Sequence, residues 1–402
     1  MNKHEFDHSY PAIVIGMFET GLGVARTLGR AGIRVIGIDY KKDIGFLSKF
    51  VEGIILPDPK IDGGTPFIIK LVEIGKSLSK KAVIFITSDS FLQVIAENIN
   101  IVKDIFHINI PNLELLTKIE NKYEQYKLAL NYNIPVPKTI LITKSTKIQE
   151  LVKELEFPCF IKGLDVKEWR RAFGGSKKGF VVYNMNEMMN VIHGIIEKNI
   201  QAIVQELIPG PDTKHFKTCS IYSAESKEIV SFTLQKIRQN PIHFGVGSVV
   251  QSIKNEELMS LGNVFLSSIN YTGIGSIEFK FDERDNKFKI IELNPRFWQQ
   301  NSLTEMCGCP FSLYYYYDLT NQLFNPNKDY KVGIKWVNIY MDFNSFVKYR
   351  KEGSITLAEW LNSLRGKKVF SDFAIDDPIP GLYELNISRL WRKLFKKVGP
   401  NV

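Results

Sequence analysis

Two glutamates and an asparagine at the ends of two neighbouring apolar segments are the residues best suited to chemistry. The segments GSIEFKF and KFKIIELN flank the polar stretch DERDN, a pattern that predicts a β-hairpin. If the turn is centred near Asp285, Glu278 lies directly opposite Glu292, and Asn294 shares a face with Glu292. Like charges opposite each other destabilise a sheet, and two close carboxylates normally force one of them to take up a proton.

A divalent cation would remove this repulsion. Two carboxylates and an amide oxygen form an oxygen-only ligand set suited to Mg²⁺, which keeps waters and takes further ligands from phosphates. Arg296, which follows the strand beyond Pro295, could then bind a phosphate or a carboxylate in bidentate fashion. The alternative is that both glutamates point into solvent on an exposed sheet face, and the sequence leaves this open.

Several basic residues indicate an anionic ligand. Lys162 ends the apolar run FPCFI, and a lysine that closes a buried strand needs a partner for its charge. The loop GGSKKG at 174–179 could close over phosphates as a flap, although a surface hairpin explains it equally well. Lys236 and Arg238 alternate along a predicted strand and so share one face, which indicates either a charged cavity or a solvated strand.

The segment IVQELIPG predicts a strand that ends at a turn. Its backbone could pair with the edge of an adenine, and Glu206 could accept a hydrogen bond from the exocyclic amine or the ribose. A plain strand end before a turn is the alternative.

The first 110 or so residues predict a doubly wound α/β domain that opens with a βαβ unit. A dinucleotide site there would need the pattern G-x-G-x-x-G and an acidic residue after the second strand. Asp39 stands at that acidic position, and Gly16, Gly21 and Gly23 surround the turn. Phe18 replaces the middle glycine and would obstruct a phosphate. A nicotinamide oxidoreductase is therefore a disfavoured alternative.

The order of these segments resembles the ATP-grasp superfamily, in particular its carboxylate–amine ligase branch related to carbamoyl-phosphate synthase. The resemblance covers most of residues 1–310, and IIELNPRF is its most specific motif. The segment ENKYEQYKLALNYNIPVPKT resembles the entry to the core, with Lys122 at the usual lysine position and Asn121 where an aspartate is common. The implied fold is α/β and α+β, with a Rossmann-like domain over 1–112, an ATP-grasp core over 113–320 that includes a mobile lobe at about 138–205, and a small mixed region over 321–402.

The resemblance also implies a role for each candidate residue. The residues that would bind ATP are Lys122, Lys162, Ser176, Lys177, Gln205, Glu206, Ile208 and Asp212. Of these, Ser176 and Lys177 lie in the flap. Gln205, Glu206 and Ile208 would contact the adenine, and Asp212 would contact the ribose. Glu278, Glu292 and Asn294 would hold one or two Mg²⁺ ions, for which Mn²⁺ could substitute. Arg296, Arg238 and Lys236 would be catalytic, stabilising charge on the phosphoryl group or on the substrate carboxylate.

The implied reaction joins a carboxylate to an amine through an acyl phosphate and releases ADP and phosphate. The expected partners are a small-molecule or peptide- or glycan-linked carboxylate and an amine, without nucleic acid. A non-catalytic nucleotide-binding module is a second alternative, which the complete set of acidic ligands disfavours.

The composition sets broad limits on the class of protein. The 402 residues are 44% hydrophobic and 24% charged, which is ordinary globular composition and predicts two or three domains. The net charge of +9 favours acidic partners, unless it reflects only a solvated basic face. Four cysteines without zinc spacing, and the lack of an apolar signal segment, predict a cytoplasmic setting.

The segment ISRLWRKLFKKV at 387–398 predicts a basic amphipathic helix. Such a helix could lie on the anionic inner face of a membrane or pack on its own domain, and packing is favoured. Membrane contact would make a lipid-linked cell-wall or polysaccharide precursor a plausible substrate. A homodimer is expected from base rates alone.

Overall fold

The computed structural model describes residues 6–143, 155–174 and 179–384. Two expectations fall outside these ranges: the flap residues Ser176 and Lys177, and the basic segment 387–398. Within the described ranges, no helix combines the length and the apolar character needed to cross a bilayer.

A parallel four-stranded sheet with the strand order β3-β2-β1-β4 forms the first unit. Its strands are β1 (Ala12–Ile15), β2 (Val35–Asp39), β3 (Val51–Ile55) and β4 (Val83–Ile86). The helices around it are α1 (Glu19–Arg30), α2 (Thr65–Ser77), α3 (Asp89–Glu97) and α4 (Ile99–Ile105). Strands β1, β2 and β4 are fully buried, as expected where helices cover both faces of a parallel sheet. The predicted α/β unit is confirmed, and its closer likeness to a dinucleotide-binding domain stays a prediction.

The carboxylate of Asp39 closes the turn after β1. Its oxygens accept hydrogen bonds from the backbone N–H groups of Met17 at 2.7 Å and Tyr40 at 2.7 Å. Phe18 lies in the same turn and is exposed. Asp39 therefore has a structural partner on each oxygen, which disfavours a role in holding a ribose.

A second sheet, with strand order β5-β8-β6-β7, is antiparallel. Its strands are β5 (Thr139–Ile142), β6 (Cys159–Gly163), β7 (Phe180–Val182) and β8 (Ala202–Glu206). Helices α5 (Leu113–Glu120) and α6 (Lys122–Asn131) precede it, and α7 (Val166–Phe173) and α8 (Met185–Glu197) lie between its strands. The sheet has its own apolar core, which includes Ile161, Val204 and Ile192. This sheet occupies the range expected for the mobile lobe.

The third sheet has seven strands in the order β13-β12-β9-β10-β11-β14-β15. They are β9 (His215–Tyr222), β10 (Glu228–Asn240), β11 (Val246–Ile253), β12 (Gly273–Asp282), β13 (Lys287–Asn294), β14 (Lys335–Val337) and β15 (Lys368–Phe370). The helices of this part are α9 (Glu256–Ser268), α10 (Ser302–Met306), α11 (Phe311–Leu319), α12 (Ile339–Lys351), α13 (Leu357–Ser363) and α14 (Ile379–Glu384). Strands β14 and β15 extend this sheet, although the sequence assigns 321–402 to a separate region. Three-residue strands are too short to give a readable alternation.

The first and third sheets share one apolar core. The tyrosines of α11 are buried in it, and the ring of Tyr315 lies 5.4 Å from that of Phe85 and 5.7 Å from that of Phe297. Helix α1 is fixed to the carboxyl-terminal part by Arg26, whose guanidinium donates to the carboxylate of Asp377 at 2.9 Å and to two backbone carbonyls. Both side chains of this ion pair are buried. These contacts therefore connect α1, near the start of the described chain, to the segment just before α14.

Glu19 is a buried carboxylate at the same junction. The side-chain amides of Gln299 and Asn338 donate to its two oxygens, the second at 2.6 Å. Among the described residues, no lysine, arginine or histidine forms a salt bridge with it. Burial raises the pKa of Glu19 to about 7, and these hydrogen bonds only partly oppose the shift. The folded protein therefore binds this proton more tightly than the unfolded chain.

We predict that Glu19→Gln flattens the pH dependence of stability. The unfolded carboxyl ionises near pH 4.5, so the free energy of unfolding of the wild type should fall as the pH rises from about 4.5 to about 7 and then level off. The total change should be on the order of 3 kcal/mol. Urea unfolding at several pH values measures it. The surface variant Glu52→Gln should keep the wild-type slope, and an unchanged slope in Glu19→Gln would contradict the prediction.

Candidate functional site

Glu278 and Glu292 lie directly opposite each other on β12 and β13, in the register that the sequence predicts. The neighbouring pairs are Ser276 with Asn294 and Ile277 with Leu293. A bulge follows Glu278, so that Phe279 pairs with Ile290 instead of Ile291. The predicted hairpin register is confirmed up to this bulge.

Lysines neutralise both carboxylates. Glu278 lies between the ammonium groups of Lys217 on β9, at 3.1 Å, and Lys236 on β10, at 2.9 Å. Lys122 forms a hydrogen-bonded ion pair with Glu292. Burial acts to raise the pKa of Glu278, but the charges of Lys236 and Lys217 outweigh it and hold the pKa well below its usual range. Like charges tolerate each other here because cations from three other elements surround them.

Helix α6 holds Lys122 beside this pair. Asn121 caps the helix by accepting from the backbone N–H groups of Tyr123 at 3.0 Å and Glu124 at 3.2 Å. Gln125 is fully buried, and its side-chain oxygen accepts from the backbone N–H of Leu293 at 3.0 Å. The helix is therefore attached to β13 between Glu292 and Asn294. An asparagine keeps the cap where an aspartate is common in the family.

Lys162 faces the same region from the second sheet. Its ammonium group lies 3.5 Å from the side-chain oxygen of Gln205 and 5.9 Å from the centre of the Tyr126 ring. Burial lowers its pKa, and the charge of Glu292 opposes this shift. Ile208 is buried just beyond the end of β8. An anionic ligand between the sheets would relieve the cost of burying Lys162.

Arg238 does not face the carboxylates, and the expectation that it shares a face with Lys236 is wrong. The β10–β11 register shifts between these two residues, so a bulge breaks the alternation. Arg238 instead forms a buried bidentate ion pair with Asp342, at 2.6 and 3.0 Å. Its guanidinium therefore fixes α12 to the sheet, and no charge of Arg238 is free for a substrate.

The residues at the end of β8 are also engaged within the protein. One oxygen of Glu206 accepts from Arg284 at 2.7 Å. Asp212 accepts from the backbone N–H of His243 at 2.9 Å and from the hydroxyl of Tyr349. That Asp212 holds a ribose stays a prediction, and one of its oxygens already accepts from the hydroxyl of Tyr349 on α12. A nucleotide would have to replace Arg284 to reach the oxygen of Glu206 that this guanidinium occupies.

Arg296 links the site to the first sheet. Its guanidinium forms two hydrogen bonds to Asp89, at 2.6 and 2.9 Å, and a weaker one to the side-chain oxygen of Asn294, at 3.3 Å. The side chain of Asp89 is 57% exposed, so this ion pair lies in contact with water and exchanges at little cost. Arg296 therefore remains a candidate for binding phosphate or carboxylate.

Two residues of β9 belong to the site and are missed by the sequence analysis. Lys217 pairs in register with Glu278, and His215 pairs with Lys280 on the same face. Burial, followed by the charges of Lys236 and Lys280, lowers the pKa of His215 to about 3, so its ring is neutral. The argument applied to Lys162, that a lysine in a buried strand needs a partner, would have identified Lys217 in FKTCSIYS.

The donor chemistry of Glu278, Glu292 and Asn294 fits magnesium. Their oxygens lie on one face of two paired strands, and hard oxygen donors are what this ion prefers. No group of three or more acidic, histidine or cysteine side chains within the described ranges is arranged to hold a metal. Such a site would depend on oxygens from a nucleotide and from water.

Comparisons with known proteins show what this chain is similar to. The family model for the ATP-binding domain of the carbamoyl-phosphate synthase L chain matches residues 233–313. A D-aspartate ligase from Enterococcus faecium is 25% identical over 311 residues, which are 74% of this chain and 73% of that protein. A carbamoyl phosphate synthase large chain from Methanocorpusculum labreanum is 24% identical over 196 residues, which are 46% of this chain but only 18% of that one.

Solved structures share the fold. An N5-carboxyaminoimidazole ribonucleotide synthetase in complex with ADP matches with a TM-score of 0.62 and 15% identity, and the match covers 85% of each chain. The biotin carboxylase of Campylobacter jejuni matches with a TM-score of 0.58 and 18% identity, over 81% of this chain and 74% of that one. Together with the paired glutamates and the lysines around them, these matches support the resemblance to ATP-grasp carboxylate–amine ligases.

Proposed function

We propose that this protein is an ATP-dependent ligase that joins a carboxylate to an amine through an acyl phosphate. The observation that carries the proposal is the pairing of Glu278 with Glu292 in the sheet, together with the ion pairs that these carboxylates form with Lys122, Lys217 and Lys236. Such an arrangement suits a ligand that brings both a divalent cation and several negative charges. ATP with magnesium is a ligand of this kind.

We assign the lysines to the phosphates of ATP and the residues at the end of β8 to its adenine. Lys122 on α6 and Lys162 on β6 both lie near Glu292 and would bind phosphate oxygens. Gln205 and Ile208 would line the adenine. Glu278, Glu292 and Asn294 would hold magnesium, which when bound neutralises charge on the phosphoryl group that is transferred.

The reaction has two steps. A carboxylate oxygen of the acid attacks the γ-phosphorus of ATP, and the bond to ADP breaks. The amine nitrogen then attacks the carbonyl carbon, phosphate leaves with the former carboxylate oxygen, and the nitrogen loses a proton. Lys236 and Arg296 would stabilise negative charge on the carboxylate and on the departing phosphate. Exclusion of water protects the acyl phosphate, the role we assign to the flap that contains Ser176 and Lys177.

D-aspartate is the first acid to test, because one relative carries the name D-aspartate ligase. The acid panel includes L-aspartate and glutamate, and the amine panel includes ammonia, glycine, L-lysine and cadaverine. ADP release that requires both an acid and an amine identifies the substrate pair. ATP binding without turnover across both panels would instead favour a non-catalytic nucleotide-binding module.

An acid labelled with ¹⁸O in its carboxylate should transfer one ¹⁸O atom to inorganic phosphate. The label moves because the attacking oxygen becomes the bridge of the acyl phosphate and leaves with phosphorus. Mass spectrometry of the released phosphate measures it. A parallel reaction in ¹⁸O-water should leave the phosphate unlabelled. Amide formation with unlabelled phosphate from the labelled acid would rule out the acyl phosphate.

Glu292→Gln should lower acid- and amine-dependent ADP release by at least about 100-fold. The variant removes the charge that both a divalent cation and Lys122 require, and it keeps the shape of the side chain. The matched control is Glu283→Gln in the turn of the same hairpin, where the carboxylate pairs with Lys214 at 2.7 Å on the surface. Activity of Glu292→Gln close to that of Glu283→Gln, at saturating magnesium, would contradict the assignment of Glu292.

A further inference from the structure

Three buried charged groups on the third sheet do not balance. The carboxylate of Glu278 lies between the ammonium groups of Lys217 and Lys236, on the neighbouring strands β9 and β10. The side chains of the two lysines are only 5% and 4% exposed. We call these three residues the lysine–glutamate triad. It contains two positive charges and one negative charge.

The excess charge has no further acidic partner within the part of the chain that the structure describes. Neither lysine forms a second salt bridge there. The other contacts of Lys236 are neutral: the carbonyl of Gly245 at 3.3 Å and the side-chain oxygen of Gln239 at 3.5 Å. A buried charge without a counter-charge is costly, so the triad is suited to accept one more anion.

Unpartnered polar atoms lie on the same sheet face. His215 and Lys217 are two residues apart on β9, and Ser276 and Glu278 are two residues apart on β12. Glu278 pairs directly with Lys217, so all four side chains lie on one face of the sheet. Both ring nitrogens of His215 and the hydroxyl of Ser276 are buried, and they have no hydrogen-bond partner among the described residues. His215 is 9% exposed and Ser276 is fully buried. Buried polar groups are normally hydrogen-bonded, so these atoms independently indicate a ligand on this face.

We infer that Lys217 is a substrate-binding residue that, together with Lys236, holds an oxyanion of a substrate beside Glu278. The inference rests on the proposed ligase function and adds a residue to its site. Two oxyanions have the required chemistry: the carboxylate of the acid and the γ-phosphate of ATP. Lys217 would bind either by a charge-assisted hydrogen bond, and the neutral ring of His215 could donate to the same group.

Lys217→Met tests the inference because it should weaken the binding of the substrate oxyanion without destabilising the fold. The variant leaves one lysine for one glutamate, so the triad becomes neutral and the unfolding temperature should stay the same or rise. The affinity for the bound oxyanion should fall about 10- to 100-fold, as for the loss of a hydrogen bond to a charged group. Lys217→Arg keeps the charge and should recover part of the loss.

Lys214→Met is the matched control. Lys214 lies three residues before Lys217 and pairs with Glu283 on the surface, so its loss changes the net charge equally without touching the triad. The KM of the acid and the KM of ATP are measured for the wild type and each variant. A rise in the KM of the acid alone identifies the carboxylate, and a rise in the KM of ATP identifies the γ-phosphate. Wild-type KM and kcat in Lys217→Met would overturn the inference.

Equilibrium binding distinguishes failure of this inference from failure of the ligase proposal. Calorimetry with ATP and with D-aspartate needs no turnover. If the wild type binds either compound and Lys217→Met binds it more weakly than Lys214→Met does, the inference holds even where no ligation is found. Equal binding by both variants overturns it. If Lys217→Met does not fold, Lys217→Gln takes its place under the same criteria.

Discussion

Repulsion between two glutamates on adjacent strands is the constraint on which the site depends. Glu278 and Glu292 occupy directly opposed positions of a sheet, an arrangement that favours protonation unless cations lie close by. Those cations come from α6, β9 and β10, and Lys122 of α6 precedes its partner Glu292 by 170 positions. The two carboxylates therefore gain their cationic partners only after the helix and the strands have assembled. Folding of the third sheet and formation of the site are one process.

The cations assigned to substrates already have partners of the protein's own. Lys122 pairs with Glu292, Arg296 with Asp89, and Lys162 lies near the amide of Gln205. These contacts give each of the three cations a polar partner within the protein. An incoming triphosphate has to compete with each of them, and the more exposed pairs, such as Arg296 with Asp89, cost the least to exchange. On our proposal, selectivity for a highly charged ligand would follow, because a weak anion cannot replace several partners at once.

The sequence predicts the local parts of the site well. Alternation and a polar turn suffice to place Glu278 opposite Glu292, because a hairpin register depends only on nearby residues. The prediction fails where distant contacts decide. A bulge between Lys236 and Arg238 turns the guanidinium towards Asp342, more than a hundred residues away in the chain.

Very short strands, and residues identified only by their burial, also cannot be predicted from local sequence patterns. The strands β14 and β15 have three residues each, and nothing in their composition predicts that β14 pairs with β11 and β15 with β14. Lys217 required an argument about burial that local periodicity does not supply. The fold class and the paired carboxylates could thus be read from the sequence, whereas the partners that neutralise them required the tertiary arrangement.

The ion pair between Arg26 and Asp377 has a consequence for how the chain is made. The two residues are separated by 351 positions, and the guanidinium is buried only because this carboxylate and two carbonyls receive it. A ribosome releases the first helix long before it adds the last described segment. During synthesis, α1 therefore exposes a surface that later residues will cover. The amino-terminal unit reaches its final form only when the carboxyl-terminal part arrives.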